Sequence, residues 1–106
     1  MKFRGGMSEL MRQASRLQRK VATRKEELKT TTVEASAGSD KVKVVVNGAH
    51  ELVSIVIDPE MLKQEELSMV QDLIVAAVNA GMTKSAEMVE AEIEKVTGGM
   101  SIPGLV

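Results

Sequence analysis

A stripe of basic side chains near the N-terminus is the feature of this sequence best suited to binding a ligand. Its members are Arg12, Arg16, Arg19 and Lys20. At about 100° per residue, a helix places these four in one arc, and the last three have no acidic residue three or four positions away. Guanidinium groups bind phosphate in a bidentate manner, so a row of unpaired cations predicts an external polyanion. The natural candidate is double-stranded DNA, held at its phosphates with little sequence reading.

The charge distribution along the chain supports this interpretation. The 106 residues carry 14 Lys plus Arg and 15 Asp plus Glu, for a formal net charge of −1. Residues 1–30, however, contain nine basic side chains and three acidic ones, and association depends on the local field within a Debye length of about 8 Å. Single-stranded nucleic acid is disfavoured because base stacking needs aromatic side chains, and Phe3 is the only one.

The residue types that support catalysis or metal binding are scarce. The chain has no Cys and one His, which excludes disulfides, a thiol nucleophile and a zinc cluster. We expect His50 to be structural or solvated, and paired carboxylates such as Glu65 and Glu66 to form a solvated helix face. No phosphate-binding glycine loop or zinc-protease motif occurs. We therefore predict no enzyme activity, no catalytic residue, no metal, no cofactor and no small-molecule substrate.

Hydropathy predicts a protein without membrane contact. The longest unbroken apolar run covers residues 73–78, far below the roughly 20 residues that a membrane span requires. The N-terminal stretch MKFRGG has no apolar run behind it, which argues against a cleaved leader. We expect a cytoplasmic protein that forms one domain over residues 1–106.

A long N-terminal helix must position the basic stripe. Apolar residues on the opposite side recur at steps of three and four, interrupted at Arg24. They are Met7, Leu10, Ala14, Leu17, Val21 and Leu28. We predict a short tail ending at Gly5-Gly6, a helix cap at Ser8 and a helix that runs to about Lys29.

The next segment changes to strand composition and predicts three antiparallel strands. TTTVEASA, KVKVVVN and ELVSIVID are rich in β-branched residues, with AGSD as one turn and Asn47-Gly48 as a hairpin signal. Strict alternation puts Leu52 with Val56 on one face of the third strand. Because both faces of this small sheet are partly apolar, we predict that a second copy of the chain covers one of them.

A second long helix completes the predicted α+β fold. Asp58-Pro59 ends the third strand, Glu60 to Lys63 forms a separate turn, and helical composition continues from Glu65 to about Thr97. Gly98-Gly99 stops this helix, and Gly81 is the one position that could break it. A helix of about 33 residues is roughly 50 Å long, so part of it should project from the domain.

With these elements in place, the sequence resembles the YbaB/EbfC family of bacterial nucleoid-associated DNA-binding proteins. The resemblance covers nearly the whole chain and rests on three stretches taken in order. They are Gly5-Gly6-Met7 with Leu10-Met11-Arg12-Gln13-Ala14 and Leu17-Gln18; Val44-Val45-Val46-Asn47-Gly48 through Ile55-Val56-Ile57-Asp58-Pro59; and Thr97-Gly98-Gly99-Met100 with Ile102-Pro103-Gly104.

The resemblance implies a homodimer of α+β subunits, joined by a sheet core, whose helices protrude toward duplex DNA. It also implies binding with little sequence preference, a location in the nucleoid and a role in gene regulation. Charged residues of both long helices would then face DNA. On this chain they are Arg12, Arg16, Arg19, Lys20 and Arg24 in the first helix, and Lys84 and Lys95 in the last.

An alternative function remains open at this point. The last helix holds four Glu and one Lys between Glu87 and Lys95, and these carboxylates could pair with the first helix. The apolar seams and the acidic helix could also dock another protein. In that case the chain would be a protein-interaction adaptor without direct DNA binding, and its basic face would only keep it soluble.

Overall fold

The computed structural model describes residues 2–99, with side chains from residue 6 onward. The elements are α1 Lys2–Leu28, β1 Thr32–Ala37, β2 Val42–Asn47, β3 Leu52–Ile57, α2 Pro59–Gln64 and α3 Leu67–Thr97. This order confirms the predicted α+β fold of a long helix, a three-stranded antiparallel sheet and a second long helix. The terminal residues Met100 and Ile102-Pro103-Gly104 of the family resemblance lie outside the described part.

The first helix begins earlier than predicted. Helical backbone extends from Lys2 through Gly5 and Gly6, so the expectation of a separate tail and of a cap at Ser8 was wrong. Glycine costs about 1 kcal/mol relative to Ala in a helix, but unlike Pro it leaves the backbone hydrogen bonds in place. Two glycines next to a long favourable segment therefore lengthen the helix instead of ending it.

The sheet has the order β1-β2-β3, and both neighbouring pairs are antiparallel. One irregularity corrects the predicted faces of β3. Ile55 pairs with Val44, whereas Leu52 pairs with Val46, and the register shifts between them. The extra residue forms a bulge. The bulge turns Leu52 to the same face of the sheet as Ile55. Strict alternation had instead predicted that Leu52 shares a face with Val56.

The β2–β3 hairpin uses a different turn from the one that Asn47-Gly48 indicated. The backbone N–H of His50 donates to the backbone oxygen of Asn47 at 3.0 Å. His50, not Gly48, adopts the left-handed conformation, with φ 61°. This is a three-residue loop closed by a left-handed residue. The Asn47 side chain supports it by accepting from the N–H groups of Ala49 and Glu51, at 2.9 and 3.0 Å.

Helix α3 covers one face of the sheet and remains continuous through Gly81. The buried core consists of Val42, Val44, Val46, Met61, Val70 and Ala77. A β-carbon on Gly81 would stand 2.8 Å from Val46 Cγ2 and 3.0 Å from Val44 Cγ2. Glycine therefore lets α3 approach β2 closely at this point and does not break the helix.

The molecule is elongated, with extents of 77 × 18 × 16 Å. Helix α1 packs on α3, but its apolar seam is buried only toward the C-terminal end, at Val21 and Leu28. Met7 and Leu10, at the other end, are exposed. The N-terminal half of α1 thus projects from the packed part of the chain, whereas the length argument had predicted projection for the last helix.

Candidate nucleic-acid interface

The basic stripe lies on the solvent side of α1, as its spacing predicted. Arg16, Arg19 and Lys20 are exposed, and within residues 6–99 none of them forms an ion pair. Arg19 Nε donates one hydrogen bond, to the Ser15 oxygen one turn earlier, at 3.4 Å. These three cations are therefore available to an external anion.

Arg12 lies on the same helix but has an acidic neighbour. Its Nη1 is 3.5 Å from Glu9 Oε2, and both side chains are more than half exposed. A surface pair of this kind contributes little and is screened by salt. Phosphate can therefore compete for the Arg12 guanidinium.

A shallow groove runs between α1 and α3 beside the stripe. We call it the α1–α3 groove, and the residues that line it are Arg19, Lys20, Thr23, Arg24, Glu27, Lys95 and Val96. Four of these described side chains are cationic and one is anionic. Cations from two helices therefore converge on one concave surface, and the side chains that line it carry an excess of positive charge.

The carboxylate of Glu92 pairs with two of the cations in the α1–α3 groove. Arg24 Nη2 donates to Glu92 Oε1 at 2.5 Å, and Lys95 Nζ donates to Glu92 Oε2 at 2.6 Å. The hydrogen bonds from Lys95 and then Arg24 lower the pKa of Glu92, and the bond from Glu92 raises the pKa of Arg24. The sequence left open whether a carboxylate of the last helix pairs with the first helix. In the structure Glu92 makes this pair, with Arg24.

Lys84 is separated from the other predicted site residues. Its Nζ donates to the backbone oxygen of Glu34 at 2.8 Å, which ties α3 to β1. Lys84 precedes Lys95 by 11 positions, about 16 Å along the helix axis. It lines a different depression, next to β1, and the structure does not bring it together with the α1 stripe.

The single histidine has a structural contact, as predicted. His50 Nδ1 lies 3.1 Å from the hydroxyl oxygen of Ser85, which in turn donates to the Asn47 oxygen at 2.6 Å. In the part of the chain that the structure describes, no cluster of His, Cys, Asp and Glu could hold a metal ion. None of the described helices has the length and hydropathy that crossing a bilayer requires.

A second surface of interest surrounds β3. Four of its apolar side chains are exposed in the single chain, and we call them the β3 surface: Leu52, Val53, Ile55 and Val56. Helix α3 contacts β1 and β2 more closely than β3, so one edge strand extends beyond its cover. Leu52 and Ile55 share one face of the sheet and Val56 lies on the other, so β3 exposes apolar side chains on both faces. Such exposure on an edge strand is typical of an interaction surface.

Comparison with known proteins relates this architecture to a family. The model of the YbaB/EbfC DNA-binding family matches residues 3–100. A nucleoid-associated protein of Syntrophobacter fumaroxidans is 52% identical over 95 residues, covering 90% of this chain and 86% of that protein. A nucleoid-associated protein of Pelotomaculum thermopropionicum is 46% identical over 101 residues, covering 95% and 96% of the two chains.

A solved structure shares the fold. The crystal structure of an uncharacterized protein from Helicobacter pylori matches with a TM-score of 0.71 at 24% identity, covering 86% of this chain and 96% of that one. The family match extends over nearly the whole chain, and the family is one of DNA-binding proteins and not of enzymes. The protein therefore belongs to the YbaB/EbfC DNA-binding family.

Proposed function

We propose that the protein binds double-stranded DNA as a homodimer, with little sequence preference, through phosphate contacts from α1 and the α1–α3 groove. The observation that carries this proposal is the row of exposed cations, Arg16, Arg19 and Lys20, without an ion pair among the described residues. Arg12 extends the row, and Arg24 and Lys95 border it from the groove. Lys84 plays a smaller part because its ammonium group is bonded to β1.

The absence of a base-reading element from the proposed contact set favours relaxed specificity. Sequence is read at base edges by side chains that enter a groove of DNA, whereas the proposed contacts from Arg and Lys to phosphates carry no sequence information. Three unpaired cations from each protomer, six in all, predict a slope of about −5 for log affinity against log salt. Such binding would organise the nucleoid and modulate gene expression without catalysis.

The β3 surface supports the homodimer. Its apolar side chains extend past α3, and a second copy would remove them from water at about 25 cal/mol per Å². Isologous contact between two copies needs only one self-complementary patch. A dimer would present two α1 stripes, and simultaneous engagement raises the effective affinity of each.

The decisive experiment is a titration of a labelled random-sequence duplex at two salt concentrations. Arg16→Glu and Arg19→Glu should each weaken binding at least tenfold and equally on different sequences, because each replaces one phosphate contact by a repulsion. Lys63→Glu is the matched control, since it makes the same charge change at an exposed residue of α2. Sedimentation should show that all variants remain dimeric.

The alternative outcomes separate the two candidate functions. Salt-sensitive binding that the α1 variants lose supports the DNA function. No binding of the parent protein at low salt would contradict it and would favour the protein-interaction adaptor. Loss that is confined to one DNA sequence would contradict the relaxed specificity.

A further inference from the structure

We propose that Glu92 limits the positive charge that the α1–α3 groove presents to DNA. The affinity for DNA and its salt dependence are therefore lower than they would be without the Glu92 charge. This inference rests on the proposed function. Glu92 is negatively charged, and its place on the acidic last helix would otherwise suggest that it has no role in DNA binding.

The position of Glu92 distinguishes it from the other carboxylates of α3. Its two oxygens each accept a hydrogen bond from a different cation, one on α1 and one on α3. The side chain retains only 23% of its exposure, whereas Glu90, on the opposite side of the helix, is exposed and has no ion pair among the described residues. Glu92 is thus the carboxylate that occupies the cation pair at the groove.

The charge balance shows what this contact does. Arg24 and Lys95 supply half of the cationic side chains that line the α1–α3 groove. Arg24 is also 3.6 Å from Glu27 Oε1, so its guanidinium is flanked by two carboxylates. With Glu92 ionised, both cations have lost much of their potential, and only Arg19 and Lys20 act on an incoming phosphate at full strength.

The packing of α1 on α3 does not depend on this ion pair alone. Val21 and Leu28 of α1 are buried, and Val89 and Ile93 of α3 are half-buried, so an apolar seam holds the two helices. An amide at position 92 keeps one acceptor oxygen, which can still accept from Arg24, whereas its NH₂ group cannot accept from Lys95. Replacing the carboxylate by an amide therefore changes charge while preserving the helix contact.

The test compares Glu92→Gln with Glu90→Gln in the full-length protein. Both variants remove one negative charge from the same helix, so any effect of net charge is matched. We expect Glu92→Gln to bind a random-sequence duplex about 3- to 10-fold more tightly than Glu90→Gln at low salt. We also expect the salt slope to become steeper by about 1 per protomer, because one more phosphate is neutralised.

A second set of variants assigns the effect to the two paired cations. In the Glu92→Gln background, replacing both Arg24 and Lys95 by Gln should abolish the gain, as a double-mutant cycle would report. In the parent background, Arg24→Gln should reduce affinity less than Arg19→Gln does, because Arg24 is already paired. This second comparison keeps Glu92 and therefore does not require that the Glu92→Gln variant folds.

Two results would overturn the inference. One is binding by Glu92→Gln that is equal to or weaker than that by Glu90→Gln, and the other is a larger loss for Arg24→Gln than for Arg19→Gln. Either would leave the proposed function standing, because the parent protein would still bind DNA. Failure of the parent to bind at low salt would instead contradict the proposed function itself.

Discussion

The hydroxyl of Ser85 donates a hydrogen bond to the backbone oxygen of Asn47 at 2.6 Å, and this contact fixes α3 to the β2–β3 hairpin. Ser85 is fully buried. Its only proton goes to Asn47, so its oxygen is left to accept the Nδ1–H of His50 at 3.1 Å. A buried polar side chain in the middle of a helix is thereby satisfied, and the bond links two residues that are 38 positions apart in the chain.

Replacing Ser85 by Ala should lower the free energy of unfolding by about 1 to 2 kcal/mol. The reason is that a net hydrogen bond is lost and the Asn47 oxygen keeps only the bond from the His50 backbone. Urea denaturation followed by circular dichroism measures the change. Ser68→Ala is the control, because Ser68 is exposed on the same helix, and a change above about 0.5 kcal/mol is not expected there. Equal effects for the two variants would show that the Ser85 contact contributes nothing.

Gly48→Ala should be much more damaging than its place in a loop indicates. A β-carbon on Gly48 would collide with the carbonyl oxygen of Leu28 at the end of α1, and backbone atoms cannot rotate away. We expect a loss of about 3 kcal/mol or more, or no folded protein. Gly98→Ala is the comparison. Gly98 has φ 64° but open space around it, so its cost should be about 1 kcal/mol. A smaller loss at Gly48 than at Gly98 would contradict the close approach.

The features that follow from local sequence periodicity could be predicted, whereas those that depend on contacts between different elements could not. Apolar spacing and β-branched runs depend on local periodicity, and these predicted both long helices and all three strands. The role of Gly48 could not be predicted, because it depends on the Leu28 carbonyl of another element. The bulge that turns Leu52 likewise depends on pairing with β2.

The candidate site shows the same limit. The spacing of Arg16, Arg19 and Lys20 predicted one exposed arc, because a single helix determines it. The bond between Arg24 and Glu92 joins residues that are 68 positions apart, and only the packing of two helices decides which of several Glu residues makes it.

Gly81→Ala should destabilise the protein despite the better helix propensity of Ala. Propensity alone favours Ala by about 1 kcal/mol, but the new methyl group would stand 2.8 Å from Val46 Cγ2. Val46 is buried and stiff at χ1, so overpacking should cost about 1 to 3 kcal/mol. Thermal unfolding measures the net effect, with Ala76→Gly as a control for propensity at an exposed position of α3. A Gly81→Ala variant more stable than the parent would contradict the close packing.

Val56→Lys should convert the proposed dimer to monomer without unfolding it. Val56 is 63% exposed on the β3 surface, so a single chain tolerates Lys there, whereas an interface between two copies would bury the charge. Sedimentation velocity at micromolar concentration measures the species. Leu10→Lys is the matched control, because Leu10 is also 63% exposed but lies on the projecting part of α1. Dissociation by Leu10→Lys alone would place the interface on α1 instead.

Acidification should weaken the contact between α1 and α3 through Glu92. Hydrogen bonds from Lys95 and Arg24 lower the pKa of this carboxylate in the folded protein, below the value of about 4.3 for an unfolded glutamate. The unfolded chain therefore binds the proton more readily. It follows that the stabilisation from Glu92 is fully present above that ordinary value and is lost as the pH falls through the lowered one.

The measurement is urea unfolding of the parent and of Glu92→Gln between pH 6 and pH 3. The remaining carboxylates titrate in both proteins and cancel in the comparison. The parent should lose more stability than the variant on acidification, so the two curves should converge at the low end of this range. Parallel curves would show that the ion pair does not contribute to folding, and a parent that gained on the variant in acid would reverse the sign of the Glu92 pKa shift.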